Sequence, residues 1–279
     1  MTQRTKILIL LAALLVAGGI LAYVLPRQQE ITINPPSPSP APPPASQGTA
    51  PPTTTTPMTP TPTPNPSPQP QPTPPPPTPV TVPAEISRGN TAKKQVIFTF
   101  DGGAGIQSAQ KILDVLAKHQ VKGTFFVTGK WAEQNPDLMK AIANTGHEIF
   151  NHTYSHADLT TISDAQIRSE FSKAENIISG LTGKTTKPYF RPPYGARNLH
   201  VRQIAAQEGY TSVYWTLDAL DWQETATAEG TKQRILSNVS NGAIYLMHIG
   251  DNITGDILDE VFTEIKNRGF GIVSLTQGM

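Results

Sequence analysis

Hydrophobic and polar positions alternate in a repeating order through the C-terminal two thirds of the chain. Short apolar runs such as residues 96–100 and 124–127 have the length of buried strands. The segment between them, residues 108–119, places apolar side chains three and four positions apart, which predicts an amphipathic helix. Glycine follows several helical segments, where it suits the left-handed conformation just past a helix end. The pattern therefore predicts helices and strands in alternation.

Five further apolar runs continue the same order. They are typical of short strands and cover residues 148–150, 189–190, 210–215, 243–247 and 270–274. Ser163 and Gln166 form a capping-box pattern, which predicts the start of a helix that runs to about residue 181. Helices that alternate with short apolar strands favour a parallel sheet, and six or seven such strands favour a (β/α) barrel.

The start of the chain has a different pattern. Residues 7–25 form an uncharged apolar run, which as a helix is about 28 Å long and matches the roughly 30 Å hydrocarbon core of a membrane. Arg4 and Lys6 precede this run and favour a cytoplasmic N-terminus. The flanking residues offer no clear cleavage site, so we expect residues 1–33 to hold a retained signal-anchor. Secretion after signal cleavage is the alternative.

Residues 34–83 are dominated by proline, threonine, serine and glutamine, and 23 of these 50 residues are proline. Such a segment has too few apolar side chains to form a core, which predicts a disordered linker. Extended as polyproline II, it reaches up to roughly 150 Å. We therefore expect a single-pass protein of the cell membrane, with residues 84–279 forming one extracellular domain at a distance from the bilayer.

Charge and cysteine content exclude several functions. Residues 84–279 carry 19 basic and 20 acidic side chains, and no basic run is interleaved with aromatic residues. This argues against a nucleic-acid partner, and no feature predicts a protein partner. The chain has no cysteine, which excludes disulfides, thiolate metal ligands and a cysteine nucleophile.

His152 and His156 are two of only six histidines and lie just after the predicted strand 148–150. In a helical turn their Cβ atoms lie roughly 6 Å apart and both imidazoles can reach one cation. In an extended strand they are roughly 13 Å apart, too far to share a metal ion. A metal site therefore requires the strand to end and the chain to curl. The alternative is a pair of solvated histidines in a polar loop.

Polar clusters follow five of the predicted strands. Asp101 follows the first strand and the two histidines follow the third. Arg191, Asp218 with Asp221, and His248 follow later strands or end them. In a (β/α) barrel the carboxyl ends of the strands form one rim, where chemistry collects. We therefore expect these clusters to converge on a single mouth.

Five short motifs carry a family resemblance. They read Thr-Phe-Asp-Gly-Gly at 99–103, His-Thr-Tyr-Ser-His at 152–156, Arg-Pro-Pro-Tyr-Gly at 191–195, Asp-Ala-Leu-Asp-Trp at 218–222 and Leu-Met-His at 246–248. In this order, residues 96–276 resemble the polysaccharide deacetylases of carbohydrate esterase family 4, also called the NodB-homology domain. The resemblance implies a distorted (β/α) barrel of seven or eight βα units and metal-dependent removal of acetyl groups from a carbohydrate.

The resemblance also implies a role for each motif residue. Asp101 would be the general base, oriented by Arg191, and His248 would be the general acid, with Asp221 supporting its imidazolium form. One divalent metal, zinc or else cobalt, nickel or manganese, would be bound by His152 and His156. The backbone N–H of Tyr194 would help to hold the oxyanion. The side chains of Trp222 and Leu246 would form the wall of the acetyl pocket.

The sequence departs from the family at one position. Gly102 stands where the family has a second aspartate, which is normally a metal ligand. Three outcomes are open: a weaker but working site, a recruited ligand such as Asp251, or a site used only for binding. The retained acid and base residues favour activity.

We therefore expect a membrane-tethered de-N-acetylase that acts on a cell-wall glycan. The reach of the linker favours peptidoglycan N-acetylglucosamine, with chitooligosaccharide and O-acetylated xylan as alternatives. The alternative from another class is a non-catalytic module that binds cell-wall glycan. Among the other residues, we expect His147 and Trp131 to belong to the core, and His200 to be exposed without a companion.

Overall fold

The computed structural model describes residues 81–279, so the predicted signal-anchor and nearly all of the predicted linker lie outside the described residues. Helices and strands alternate through most of this range, apart from one pair of consecutive helices and one pair of consecutive strands. They are β1 (Gln95–Gly102), α1 (Ala109–His119), β2 (Thr124–Val127), α2 (Gly129–Gln134), α3 (Pro136–Asn144), β3 (Glu148–Asn151), α4 (Asp164–Thr182), β4 (Tyr189–Phe190), α5 (Leu199–Gln207), β5 (Thr211–Ser212), β6 (Leu217–Asp218), α6 (Ala228–Leu236), β7 (Ala243–His248), α7 (Thr254–Asn267) and β8 (Gly271–Val273). Among these residues, no helix has the length and apolar character needed to cross a membrane.

The strands form one sheet in the order β5-β4-β3-β2-β1-β7-β6, and neighbouring strands in it are parallel. β1 lies at its centre. β7 pairs along one edge of β1, while β2 and β8 pair with the C-terminal and N-terminal halves of the other edge. This confirms the predicted α/β fold with a parallel sheet.

A segment at the start of the domain, residues 84–90, bridges the two ends of the sheet; we call it the clasp. Ile86 forms a parallel bridge with Val213 just after β5, and Arg88 forms an antiparallel bridge with Ala243 of β7. The N–H of Gly89 donates to the carbonyl of Gly242 at 2.8 Å. Because β5 and β6 do not pair, the barrel is open on this side and is bridged by the clasp. The predicted barrel is thus a half-barrel sheet with an irregular closure.

The alternation of side chains along β1 brings the chemistry inside. Val96, Phe98 and Phe100 belong to the outer core, which is packed against the helices. Ile97 belongs to the inner cluster, and Thr99 contacts Arg191 inside the barrel. Since successive side chains of a strand point to opposite faces, Asp101 shares the inner face with Ile97 and Thr99. The strand pattern therefore places this carboxylate in the barrel near its carboxyl rim.

The two helices predicted with bounds, 108–119 and Ser163 to about 181, are present as α1 and α4, whereas the glycine that follows α1, Gly123, is not its left-handed capping residue. α1 ends at Gln120, which adopts the left-handed conformation with φ 56°. The predicted capping box at Ser163 and Gln166 is present at the start of α4, and Gly183 ends that helix with φ 69°. These local signals set the helix lengths and so the positions of the loops at the rim.

Candidate active site

The predicted site residues meet at the carboxyl ends of the strands. A pocket of about 530 Å³ opens at this rim. Its lining includes seven of the nine predicted residues: Asp101, His152, His156, Tyr194, Trp222, Leu246 and His248. The other two, Arg191 and Asp221, are buried behind the lining, where they hold Asp101 and His248.

Arg191 orients Asp101 from inside the barrel. Its Nη1 donates to Asp101 Oδ1 at 2.6 Å and to Thr99 Oγ1 at 2.8 Å, and its Nη2 donates to the carbonyl of Tyr214 at 3.1 Å. Burial lowers the pKa of Arg191, and the charge of Asp101 opposes that effect. Because the guanidinium is fully buried and makes several hydrogen bonds, it holds the carboxylate in one orientation. Removing either partner would leave the other charge buried and uncompensated.

The two hydrogen bonds that Asp221 accepts from His248 fix that ring. Asp221 Oδ1 lies 2.8 Å from His248 Nδ1, and Oδ2 accepts the backbone N–H of His248 at 2.7 Å. Thr254 Oγ1 also donates to Asp221 Oδ2, at 2.5 Å. Burial lowers the pKa of His248, but the hydrogen bond and charge of Asp221 outweigh it, so this pKa is raised. Because Nδ1 is engaged, Nε2 is the ring nitrogen left for the pocket.

His152 and His156 come together without a helical turn. β3 ends at Asn151, the chain bends, and Thr153 and His156 adopt φ values of 67° and 64°. The two ring centroids are 4.9 Å apart and the rings are nearly perpendicular. His152 is buried, which excludes a solvated pair. The chain does curl after β3, as a shared metal site requires, but through a bend with two residues in the left-handed conformation and not through a helical turn. The spacing of the two histidines alone does not distinguish these conformations.

Both imidazoles are neutral near neutral pH. Burial lowers the pKa of His152, and burial together with the neighbouring His152 lowers that of His156 to about 4. His152 Nδ1 lies 2.8 Å from the carbonyl of Arg191, which selects the tautomer with a proton on Nδ1 and a free lone pair on Nε2. That Nε2 is 3.5 Å from Asp101 Oδ2. A neutral imidazole with an oriented lone pair is a suitable ligand for a divalent cation.

The space beside Gly102 is filled. A Cβ atom at this position would lie 3.0 Å from Ile249 Cδ1, 3.1 Å from Val127 Cγ1 and 3.4 Å from Trp131 Cδ2. These contacts are tighter than most real Cβ contacts, so an aspartate here requires its neighbours to move. An aspartate at position 102 therefore fits only if Ile249 and Val127 shift by a few tenths of an ångström.

Asp251 does not complete a ligand set. Its Oδ1 accepts the N–H groups of Ile253 and Thr254 at 2.6 Å each, and its Oδ2 is buried without a hydrogen-bond partner in the described residues. Burial, followed by the charge of Asp221, raises the pKa of Asp251 to about 6. Within residues 81–279, histidines and acidic residues do not form a group of three or more placed to hold a metal ion. The donor set that fits a cation is the pair of neutral imidazoles, with its other coordination positions open.

The three predicted substrate-binding residues differ in exposure. Leu246 is buried in the wall of the pocket, whereas Tyr194 is 74% and Trp222 is 56% exposed. The Tyr194 ring contacts His156 edge to face at 4.4 Å, and the Trp222 Nε1 lies 3.4 Å from Asp218 Oδ2. Trp222 therefore stands at the mouth of the pocket and does not form an enclosed wall.

Other histidines and tryptophans lie mostly as expected. His147 is buried and its Nδ1 accepts the N–H of Gly123. Trp131 is buried and donates from Nε1 to the carbonyl of Gly105. His200 is exposed, but the expectation that it has no companion is wrong, because its Nε2 lies 2.8 Å from Asp164 Oδ1.

Two contacts with the site were missed by the sequence reasoning. Thr254 binds Asp221, and Glu170 of α4 binds the backbone between the two histidines. Neither residue belongs to a motif, and both come from helices distant in sequence from the side chains they support. Their helices were visible in the pattern, but nothing in residue type or spacing marked these positions.

The site combines a carboxylate held by a buried arginine and an imidazole held by a buried carboxylate, facing one pocket. On a parallel α/β half-barrel, a pocket lined in this way is a candidate active site. The chain belongs to the polysaccharide deacetylase family, carbohydrate esterase family 4, whose family model matches residues 88–213. This family is one of deacetylase enzymes, and relatives of the chain are named as deacetylases.

Three relatives give the context. The chain is 38% identical to the uncharacterized protein YlxY of Bacillus subtilis, over 71% of this chain and 61% of that protein. It is 36% identical to the peptidoglycan-N-acetylmuramic acid deacetylase PdaA of the same species, over 67% of this chain and 72% of PdaA. It is also 36% identical to a peptidoglycan-N-acetylglucosamine deacetylase of Bacillus cereus, over 66% and 67% of the two chains.

A solved structure adds a contrast. BA3943 of Bacillus anthracis, described as a family 4 pseudoenzyme, is 33% identical and superimposes with a TM-score of 0.67, covering 70% of this chain and 69% of that one. A BA3943 mutant with restored enzymatic activity is 34% identical with the same TM-score, covering 70% and 71%. The fold is therefore shared with a pseudoenzyme and with a mutant of it whose enzymatic activity is restored.

Proposed function

We propose that this protein removes N-acetyl groups from peptidoglycan, with N-acetylglucosamine as its leading substrate, in a reaction that depends on one divalent metal. The observation that carries the proposal is that two pairs lie at one pocket: Asp101 with Arg191, and His248 with Asp221. Asp101 and His248 are register partners on the neighbouring strands β1 and β7. Relatives named for deacetylation of peptidoglycan sugars support the substrate class.

The Asp101–Arg191 pair and the His248–Asp221 pair have different roles in amide hydrolysis. Asp101 accepts the proton of the attacking water, because Arg191 occupies Oδ1 and leaves Oδ2 directed towards His152. His248 donates a proton from Nε2 to the leaving amine, which cannot depart as an anion. His152 and His156 would hold one divalent cation, with zinc preferred and cobalt, nickel or manganese as alternatives, and such a cation would supply Lewis acidity to the hydrolysis.

The pocket residues place the acetyl group. The backbone N–H of Tyr194 holds the developing oxyanion, in a residue whose φ of 57° is fixed by the turn it forms. Leu246 packs against the acetyl methyl group, and Trp222 covers the sugar from the mouth of the pocket.

A second candidate function is a cell-wall glycan-binding module with an impaired metal site. The packed space beside Gly102 and the structural likeness to a pseudoenzyme favour it. In that case the pocket binds acetylated sugar through Trp222 and Tyr194 without turning it over.

Acetate release separates the two functions. The full-length protein is assayed on peptidoglycan, chitooligosaccharide and acetylated xylan with Zn²⁺, Co²⁺, Ni²⁺ or Mn²⁺, and with a chelator. The proposal expects metal-dependent release from peptidoglycan that is lost in Asp101→Asn. Binding of peptidoglycan without release under any of the four metals would establish the binding module instead.

We also propose a membrane-anchored, extracellular location, supported by the apolar run at residues 7–25 and the proline-rich segment that follows it. N-terminal sequencing of the mature protein tests this. Retention of Met1 supports the anchor, and a new N-terminus near Gln28 would indicate a secreted form.

A further inference from the structure

The backbone of the histidine loop, residues 152–156, is held by side-chain acceptors. The N–H of Thr153 donates to Asn151 Oδ1 at 2.8 Å, and that of His156 donates to Thr153 Oγ1 at 3.2 Å. The two N–H groups between them, of Tyr154 and Ser155, both donate to Glu170 Oε2, at 2.9 and 2.8 Å. Of these acceptors, Glu170 alone comes from another element of the fold.

Glu170 makes a third contact with the same loop. Its Oε1 accepts the hydroxyl of Ser155 at 2.8 Å. The carboxylate therefore takes three hydrogen bonds from two consecutive residues at the centre of the loop. Hydrogen bonds to a charged acceptor are about twice as strong as neutral ones, so this one side chain is a firm attachment.

The opposite side of the loop is held by backbone. The carbonyls of Thr153 and Tyr154 accept the N–H groups of Gly129 and Lys130, at 2.9 Å each, from the start of α2. Gly129 is also closely packed, since a Cβ there would lie 2.8 Å from Tyr154 Cδ2. The loop is thus hydrogen-bonded on one side to the start of α2 and on the other side to Glu170 of α4.

These hydrogen bonds offset the strain of two loop residues. Thr153 and His156 have positive φ, and for a β-branched threonine this conformation is particularly unfavourable. Strained residues of this kind cost about 1–3 kcal/mol each and persist only where the surroundings impose them. Glu170 binds the two residues between the strained positions, which also separate the two imidazoles.

We propose that Glu170 is a positioning residue that sets the spacing of His152 and His156 and thereby the affinity of this pair for a divalent cation. The inference rests on the proposed metal dependence. With two protein ligands and no aspartate at position 102, cation affinity depends strongly on how well these rings are preorganised. Loss of Glu170 releases the centre of the loop and lets the rings separate.

Calorimetric titration of the full-length protein with Zn²⁺ and Co²⁺ tests the inference. Glu170→Ala is expected to weaken binding by about 10- to 100-fold, the range seen when a group supporting a metal ligand is removed. Glu170→Gln keeps one acceptor oxygen and is expected to lose about threefold to tenfold. Glu133→Ala is the matched control, because it removes the same charge and a contact with Tyr154, but at the hydroxyl and not at the backbone.

The measured cation affinity shows whether Glu170 positions the two histidines or only stabilises the fold. A lower melting temperature in Glu170→Ala with unchanged cation affinity would overturn the proposal, as would equal weakening in the Glu133 control. If the alanine variant does not fold, the test uses Glu170→Gln. A cation affinity of Glu170→Gln equal to that of the unmodified protein overturns the proposal. Wild type that binds neither cation also overturns it. Cation binding without acetate release refutes the proposed function and leaves this inference standing.

Discussion

Asp221 holds His248 at two points, the ring Nδ1 at 2.8 Å and the backbone N–H at 2.7 Å. One carboxylate therefore fixes both the end of β7 and the orientation of the ring. Because the carboxylate is buried, its charge also acts on the imidazole with little screening from solvent. The orientation and the proton affinity of His248 are consequently coupled.

Asp221→Asn is expected to shift the pH dependence of acetate release. His248 must carry a proton to act as an acid, so the rate falls as pH rises through its pKa. That pKa is raised above 6.5, chiefly by Asp221 acting against burial. Without the charge the pKa drops, the alkaline fall begins at lower pH, and kcat falls about 100-fold at neutral pH. The measurement is a pH–rate profile.

The control for this profile is Asp256→Asn, which removes an exposed carboxylate paired with Lys111. Its alkaline limb should coincide with that of the unmodified protein. An Asp221→Asn profile with an unchanged alkaline limb would show that His248 does not supply the proton.

Arg191→Met is expected to destabilise the fold by about 3–5 kcal/mol, because it leaves the Asp101 carboxylate buried without its partner. Urea denaturation measures the loss. Arg191→Met combined with Asp101→Asn should recover part of it, since no charge then remains uncompensated. A single variant within about 1 kcal/mol of the unmodified protein would mean that Asp101 reaches solvent when Arg191 is removed.

Gly102→Asp is expected to cost about 1–3 kcal/mol through overpacking against Ile249 and Val127. Ile249→Val removes the Cδ1 atom that lies nearest to the added Cβ. In a double-mutant cycle the pair should therefore lose less stability than the two single variants together, by at least about 0.5 kcal/mol. Additive losses in thermal or urea unfolding would contradict the packing argument. Zn²⁺ affinity should rise more in the double variant than in Gly102→Asp.

Glu85→Ala is expected to weaken the clasp. Glu85 accepts hydrogen bonds from Arg197 and Ser212. Burial raises its pKa, but these partners outweigh burial and lower it below 4.5. Stability from this pair is therefore present above pH 4.5 and is lost as pH falls through the lowered pKa. After allowance for solvent screening we expect a loss of about 1 kcal/mol at pH 7.

The measurement is urea unfolding of both proteins at several pH values. The difference between Glu85→Ala and the unmodified protein should narrow from pH 5 to pH 3. A difference that stays constant over this range would assign the effect to packing and not to the ion pair.

Local signals predicted much of the fold. The strand expected at residues 96–100 is the centre of β1 (Gln95–Gly102), and the helix expected at 108–119 is α1 (Ala109–His119). Both segments have a clear apolar period. The run at 210–215 was less informative, because it contains the two-residue β5 and then turns towards β6. The clasp has no periodicity, and its pairing uses backbone groups that any residue type provides.

The motifs identified the side chains of the site but not what holds them. The histidine spacing suggested a helical turn, whereas the loop is a bend with positive φ at Thr153 and His156. That conformation depends on Glu170, whose contacts form only when α4 packs beside the loop. Likewise, the substitution at Gly102 was visible in the sequence, but the neighbours that fill its space come from three different segments.

The clasp has a consequence for proteolytic release of the domain. A cut on the N-terminal side of residue 84 leaves every contact of the clasp in place and so leaves residues 84–279 intact as a domain. A cut between Ile86 and Arg88 separates the bridge to Val213, just after β5, from the bridge to Ala243 of β7, and so breaks the connection between the two ends of the sheet. A shift of the cut by a few residues therefore decides whether the domain keeps or loses the contacts that bridge the two ends of its sheet.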